Sequence, residues 1–255
     1  MPGSESTTAE NPAETWDVIV LGGGAAGMAS AIFAALDGAR TLLVERSGSV
    51  GGTSALSAGT VWIPNTRHAA SAGAKDSPER AAAFLDAAVG NRAPKVMRDT
   101  FLRAGPEAVR HLEENTAVQF RARPFHPDYL FELEGSVAGG RALEALPFDG
   151  GMLGKALSLL RPPIPEFTVL GGMMVDRDDI GHLLKMTRSL KSLAHGARLI
   201  AGYAVDRMRH GRGARLVMGN ALTGRLLKTL LDLGVTVRTD AEVTDISAGA
   251  DGTRV

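Results

Sequence analysis

Gly22, Gly24 and Gly27, followed by Ala31, are the residues whose types and spacing point most directly to chemistry: the run Gly22-Gly23-Gly24-Ala25-Ala26-Gly27 fits G-x-G-x-x-G-x-x-x-A. That chemistry is the holding of a pyrophosphate. Gly22 lets the chain turn tightly, Gly24 lets a phosphate approach bare backbone, and Gly27 with Ala31 lets the following segment pack closely on what precedes it. The helix that follows offers free N–H groups and its positive dipole end to the phosphates, and Ala25 and Ala26 in the turn count among the expected cofactor-binding residues. Further on, Glu45 supplies a carboxylate able to accept hydrogen bonds from ribose hydroxyls. The same charge would repel a 2′-phosphate, which disfavours NADP.

These residues need a particular scaffold, and the neighbouring sequence supplies it. Val18-Ile19-Val20-Leu21 reads as a strand, Met28 to Leu36 as a helix of small residues, and Thr41-Leu42-Leu43-Val44 as a second strand ending at Glu45. Strand, glycine turn, helix, strand and acid is the order a dinucleotide fingerprint requires. The absence of charge between Asp17 and Asp37 also fits a membrane span or the apolar part of a signal peptide. Three consecutive glycines and the lack of a basic flank argue against both.

The 255 residues allow one large or two small domains, and 44% hydrophobic content suffices for a core. Lys+Arg and Asp+Glu both number 28, so net charge gives no general reason to expect nucleic acid or an anionic membrane as partner. With no cysteine, disulfides, thiolate catalysis and cysteine-bound iron–sulfur clusters are excluded. The six histidines show no metal-ligand spacing, so no metal is expected. Residues 1–14 read as a disordered tail and the expected location is cytoplasmic.

A second glycine cluster follows the acid: Arg46-Ser47-Gly48-Ser49-Val50-Gly51-Gly52-Thr53-Ser54, then Ser57, Gly59 and Thr60 before Trp62-Ile63-Pro64-Asn65. Alone, Gly51-Gly52 is also compatible with an ordinary loop. With the fingerprint, the chain resembles the flavoprotein group of fumarate reductases and 3-ketosteroid Δ1-dehydrogenases. In that group a G-G-T/N-S/T segment passes beside the FAD pyrophosphate and flavin ring, and a small-residue S-x-G stretch follows. The resemblance implies cofactor contacts from Arg46, Gly51, Gly52, Thr53, Ser54, Ser57, Gly59 and Thr60. Some members tether FAD through a histidine in this loop; Thr53 holds that position here, which implies non-covalent FAD. The ketosteroid branch is favoured by Trp62-Ile63-Pro64-Asn65, by Pro127-Asp128-Tyr129 with Gly139-Gly140-Arg141 and Pro147-Phe148-Asp149-Gly150, and by Gly171-Gly172-Met173-Met174.

The implied fold is α/β: a Rossmann-like FAD-binding domain from residues 15–65 and 216–255, interrupted by a mainly helical cap or substrate region over 66–215. Within it, Ser77-Pro78 opens a helix closed by Gly90, and Pro94 to Ala104 forms a second helix ended by Gly105. Pro106 opens a third, to about Glu114. Val118 to Arg121 is extended, 122–172 irregular, and Asp178 or Asp179 starts a helix with Ile180, Leu183, Leu184 and Thr187 on one face. Arg207, Arg209, His210, Arg212 and Arg215 read as a solvated loop. Leu222, Leu226, Leu230 and Leu233 form a helical stripe ended by Gly234, with a strand at Val235-Thr236-Val237. A short strand is expected over Glu242–Ile246; the resemblance places adenine at Val243, which also reads as a plain buried strand residue. Asp251-Gly252 reads as a hairpin turn.

An enzyme of this group moves a hydride between a substrate carbon and flavin N5, with a protein group handling the proton. The resemblance implies an oxidoreductase acting on CH–CH bonds, a small apolar substrate such as a steroid-like ketone, and an external electron acceptor. Tyr129 is the catalytic candidate; the competing reading is a buried aromatic with a bonded hydroxyl. Tyr203 reads as packing, Met173-Met174 as core or the wall of an apolar pocket, and His126 as a substrate contact. The group's C-terminal segment, which completes the flavin pocket and supplies most catalytic groups, is expected to be missing, making this an N-terminal portion. A non-catalytic FAD-binding fragment is therefore the alternative, and an NAD-only dehydrogenase a weaker one.

Overall fold

A computed structural model of the chain describes residues 14–249 and 252–254. In chain order its elements are β1 (Val18–Leu21), α1 (Ala25–Leu36), β2 (Thr41–Val44), α2 (Gly52–Ala55), β3 (Thr60–Trp62), α3 (Arg67–Ser71), α4 (Pro78–Val89) and α5 (Lys95–Asn115). Then come β4 (Phe120–Ala122), β5 (Ala142–Ala145), β6 (Phe148–Asp149), a 3-10 run over Gly150–Leu159, β7 (Thr168–Val169), β8 (Met173–Met174) and α6 (Arg177–Leu183). The chain continues with α7 (Leu190–His210), β9 (Arg215–Leu216), α8 (Met218–Asp232), β10 (Thr236–Arg238), β11 (Ser247–Gly249) and β12 (Gly252–Arg254).

The first sheet has the order β1-β2-β10, all parallel, with Val20 opposite Leu43 and Leu43 opposite Val237. Its central strand β2 is buried at all four positions, as an unbroken apolar run in a parallel sheet requires. Helices α1 and α8 pack together beside it. Met28, Ile32, Leu43, Val50, Leu226, Leu227 and Leu230 form one core. The segment between residues 66 and 215 is tied to β3 by a second, antiparallel sheet of order β3-β5-β4.

Several expectations are met closely. Ser77 caps α4, accepting a hydrogen bond from the Arg80 N–H, with Pro78 first in the helix and Gly90 closing it. The leucine stripe 222–230 is the buried face of α8.

Others are corrected. The two helices expected across Gly105-Pro106 are one, α5, with Pro106 inside it. A proline crowds the Cβ and backbone of the residue before it, and Gly105 has no Cβ to crowd, so the helix runs through. The helix expected from Asp178 or Asp179 starts one or two residues earlier, at Arg177 after the Asp176 cap, where Asp176 and Asp179 exchange side-chain-to-backbone bonds. Its apolar residues Ile180 and Leu184 are exposed, so the stripe is not a core face. The basic run 207–210 is not loop but the last turn of α7, a 21-residue helix capped by Ser189 and closed by Gly211 at φ +71°. Residues 122–172, read as irregular, contain β5, β6, β7 and the 3-10 run. Residues 242–246 form no strand; pairing begins at Ser247, antiparallel to Arg254. The tail expected over 1–14, apart from Glu14, and Asp251 of the expected turn lie outside the described residues. No helix among the described residues is long and apolar enough to cross a membrane.

Candidate functional site

The first glycine turn is shaped by backbone requirements. Gly22 adopts φ +100°, a conformation other residues rarely take, and its N–H donates to the Val44 carbonyl at 2.7 Å, locking the turn to β2. A Cβ on Gly27 would overlap the Gly22 carbonyl, so Gly27 is fixed by helix-to-turn packing. A Cβ on Gly22 or Gly24, in contrast, would meet nothing within 4 Å. The two faces of the turn thus differ: one is jammed against protein, the other is open.

Helix α1 starts at that open face. Gly24 is its N-cap and provides no side-chain cap, and no acidic residue lies in the first turn. The Ala25 N–H is taken by Ser54 Oγ at 3.3 Å. The remaining amino-terminal donors, including those of Ala26 and Gly27, make no hydrogen bond to a side chain among the described residues.

The second turn meets the first. The Gly51 N–H donates to the Gly23 carbonyl at 2.7 Å, and Gly24 bridges Gly51 in parallel fashion. Gly51 sits at φ +115° as N-cap of α2, again with no side-chain cap. A Cβ on Gly52 would stand 3.3 Å from Gly24 Cα, so two uncapped helix starts are drawn together by glycines. Thr53 is exposed at the start of α2, and Thr60 is exposed where β3 begins. Ser57 Oγ donates to the Ser54 carbonyl at 2.9 Å and accepts from the Gly59 N–H at 3.0 Å, so this serine shapes its own loop.

Glu45 closes over the first turn. Its Oε2 accepts from the Gly23 N–H at 2.7 Å, and its Oε1 accepts from the Ser47 N–H at 2.9 Å and Ser47 Oγ at 2.8 Å. Burial raises the carboxyl pKa, but the backbone donors of Ser47 and Gly23, the Ser47 hydroxyl and nearby Arg46 outweigh it and hold the group below its ordinary value. A carboxylate offers about four acceptor sites and three are used here, leaving capacity for a ribose hydroxyl. Arg46 is exposed beside it. The chain returns to this point after β10: the Glu45 N–H donates to the Arg238 carbonyl at 2.8 Å and the Ala241 N–H to the Glu45 carbonyl at 3.1 Å. Val243, two residues on, is half-buried on an extended segment rather than in a strand.

Sequence reasoning missed the contribution of α8. A Cβ on Gly59 would lie 2.6 Å from the Gly219 nitrogen, and the Gly219 N–H donates to the Ser57 carbonyl at 3.1 Å. Fully buried Asn220 donates through Nδ2 to the Ala55 carbonyl at 2.8 Å. Gly219-Asn220, placed before the leucine stripe, was the available signal. Gly23 was also passed over: a Cβ there would crowd Glu45 Oε2 at 3.2 Å.

The motif segments farther along converge on Arg141, whose side chain is 1% exposed. Its guanidinium holds Asp76 at 2.7 and 2.8 Å and Asp128 at 2.9 Å, and Trp62 Nε1 donates to Asp128 at 2.7 Å. Asp128 therefore anchors the Pro-Asp-Tyr segment. Tyr129 itself is 97% exposed, which overturns the reading of it as a buried aromatic. His126 is half-buried, its Nδ1 without a hydrogen-bond partner. Met173, Met174 and Tyr203 line, with Phe148 and Arg215, a cavity of about 470 Å³.

The arrangement fits a dinucleotide: open space before Gly22 and Gly24, free helix-start donors for phosphate, and a carboxylate at the mouth. Comparison with known proteins agrees. The chain is 33% identical to a 4-oxocyclohex-2-ene-1-carboxylate 5-dehydrogenase of Sinomonas cyclohexanicum, over 97% of this chain and 42% of the relative. It is 35% identical to a 3-oxosteroid 1-dehydrogenase of Mycolicibacterium smegmatis, over 91% of this chain and 40% of that protein. The crystal structure of 3-ketosteroid delta1-dehydrogenase from Sterolibacterium denitrificans, in complex with 1,4-androstadiene-3,17-dione, superposes with a TM-score of 0.82 at 28% identity, covering 95% of this chain and 43% of that one. The chain thus spans about two fifths of the length of the curated relatives it matches. A family model described as FAD binding domain matches residues 17–255, and the chain belongs to that family.

Proposed function

We propose that the chain binds FAD non-covalently and serves an oxidoreductase that forms or reduces a carbon–carbon double bond beside a ketone, in a small apolar ring substrate of steroid-like character, with electrons passing to an external acceptor. The observation that carries this reading is the meeting of the two glycine turns, with uncapped helix starts and open space on one side and Glu45 on the other. When bound, FAD supplies the hydride-accepting centre. The α1 start and Gly24 hold the pyrophosphate, Glu45 orients the ribose, and the loop from Gly51 to Thr60 lies along the cofactor. Residues 66–215 form the substrate-covering region. Its loop 125–131 exposes Phe125, Tyr129 and Phe131, an aromatic surface suited to an apolar ring. A cytoplasmic location is proposed with it, in keeping with a chain free of cysteine.

Reconstitution with FAD followed by desalting tests the cofactor: retained flavin absorbance that is released on heat precipitation is expected, and a colourless protein would overturn the reading. Anaerobic bleaching of an acceptor dye with a 3-ketosteroid then tests the activity.

A second reading, an FAD-binding segment that is not catalytic by itself, is favoured by the 97% exposure of Tyr129, which leaves the catalytic candidate no partner among the described residues. Dye reduction by the isolated chain would remove it.

A further inference from the structure

Helix α7 is held at two places and spans a gap between them. Near its start, buried Gly196 packs against Met186, and His195 Nε2 lies 2.9 Å from Asp179 Oδ1. Near its end, the Asp206 carboxylate accepts from the Ala214 N–H at 2.8 Å and the Arg215 N–H at 3.1 Å. Between these anchors Arg198, Leu199, Gly202 and Tyr203 recur at helical spacing on the side turned to the protein, yet they do not close on it. The cavity of about 470 Å³ lies in that gap.

The floor of the cavity is apolar, made by buried Phe148, Met173 and Met174. One wall is the Tyr203 ring, which packs on Gly213: a Cβ there would come within 3.2 Å of the ring. Gly202 keeps the space open. A Cβ on it would meet nothing within 4 Å, so packing does not call for a glycine at this point, where it weakens the helix. The charged groups of the lining are engaged elsewhere, with one exception. Arg215 donates to Asp179 at 2.8 Å, Asp149 accepts from the Gly151 N–H at 2.9 Å, and Asp206 holds its two backbone donors. Arg198 has no hydrogen-bond or ion-pair partner among the described residues.

We propose that this cavity binds a small apolar molecule ending in a carboxylate, its body on Phe148, Met173 and Met174 and its carboxylate on Arg198. The volume falls within the roughly 300–1,000 Å³ of small-molecule sites, and an apolar lining with one placed polar group is how such sites fix orientation. A guanidinium without a partner pairs with a carboxylate through two parallel N–H donors. A cationic ligand is disfavoured, because the acids of the lining already accept from backbone N–H groups. None of the lining residues belongs to the glycine turns or to Glu45, so the site is separate from the flavin cradle and does not depend on it.

The test is isothermal titration calorimetry of the full chain, without flavin, against a ring probe, naphthalene-2-carboxylate, and a chain probe, octanoate. Saturable binding of at least one, at one site per chain, is expected, and the probe that binds tells a ring acid from a chain acid. The matching neutral amide binds on the order of tenfold more weakly, roughly the worth of a hydrogen bond to a charged group. Arg198→Gln removes that preference and leaves amide binding unchanged. Gly202→Leu fills the open space and abolishes binding of acid and amide alike, while circular dichroism shows the helix retained or strengthened. Binding of neither probe, or binding that survives Gly202→Leu, overturns the proposal. An amide that binds as tightly as its acid overturns the role given to Arg198 and with it the carboxylate.

Discussion

Helices α7 and α8 are near neighbours in the chain and both carry apolar residues at helical spacing, yet α8 buries ten of its fifteen residues and α7 two of its twenty-one. The difference lies in what surrounds each. Helix α8 is packed against α1, α2 and the 3-10 run, and even its polar residues are placed inside: Asn220 bonds the Ala55 carbonyl and Thr229 accepts from the Ala117 N–H at 3.1 Å. Helix α7 rests on a narrow inner face and turns Leu190 and Leu193 outward. Periodicity locates an apolar face; it does not say what meets it.

Truncations sharpen the contrast most. Leu227, fully buried in α8, should cost about 2–5 kcal/mol of stability when changed to alanine, whereas Leu193→Ala in α7 should stay within about 0.5 kcal/mol. Urea denaturation measures both, and comparable losses would erase the distinction. The two faces of the first glycine turn form a similar pair. Gly27→Ala forces a methyl into the Gly22 carbonyl and should cost about 1–3 kcal/mol in thermal or chemical unfolding. Gly24→Ala meets open space, so stability should hold while FAD affinity, followed by fluorescence titration, weakens on the order of tenfold, roughly the worth of one hydrogen bond. A Gly24 variant that unfolds, or binds FAD normally, would contradict the proposed cradle.

The smallest effect expected is a pH dependence. Because the folded pKa of Glu45 is lowered, its hydrogen bonds stabilise the fold above the ordinary value of 4.5, and that contribution fades as pH falls through the folded value. The sign is therefore acid loss, not alkaline loss. Melting curves across the acid range should show it, and Glu45→Gln should flatten it; an unchanged acid slope in that variant would assign the effect elsewhere.

The region around the first sheet was largely legible because local rules and tertiary context agree there. The run from Val18 to Glu45 has its strand, turn, helix and strand where periodicity and glycine spacing put them. The convergence on Glu45 was less so: its carboxylate was expected to serve the ribose, and what the structure shows is that carboxylate tying Gly23 and Ser47 in place. Asn220 could not be paired with Ala55 from local pattern, since 165 positions separate them. Between residues 66 and 215, Gly105-Pro106 read as a break because a proline usually ends a helix, whereas here the preceding glycine removes the clash. Helix α7 was passed over although Ser189 and Gly211 mark its ends, because its basic last turn resembles a solvated loop and Gly196 and Gly202 dilute its pattern.

The bond from Asn220 to the Ala55 carbonyl has a consequence for biosynthesis. The glycine turns leave the ribosome early, but the residue that braces the second of them follows 165 positions later, a delay on the order of ten seconds at ordinary elongation rates. Closure of so long a loop carries an entropic cost that must be met before the cradle is rigid. The second glycine turn is thus braced only after α8 has been made, late in the folding of the chain.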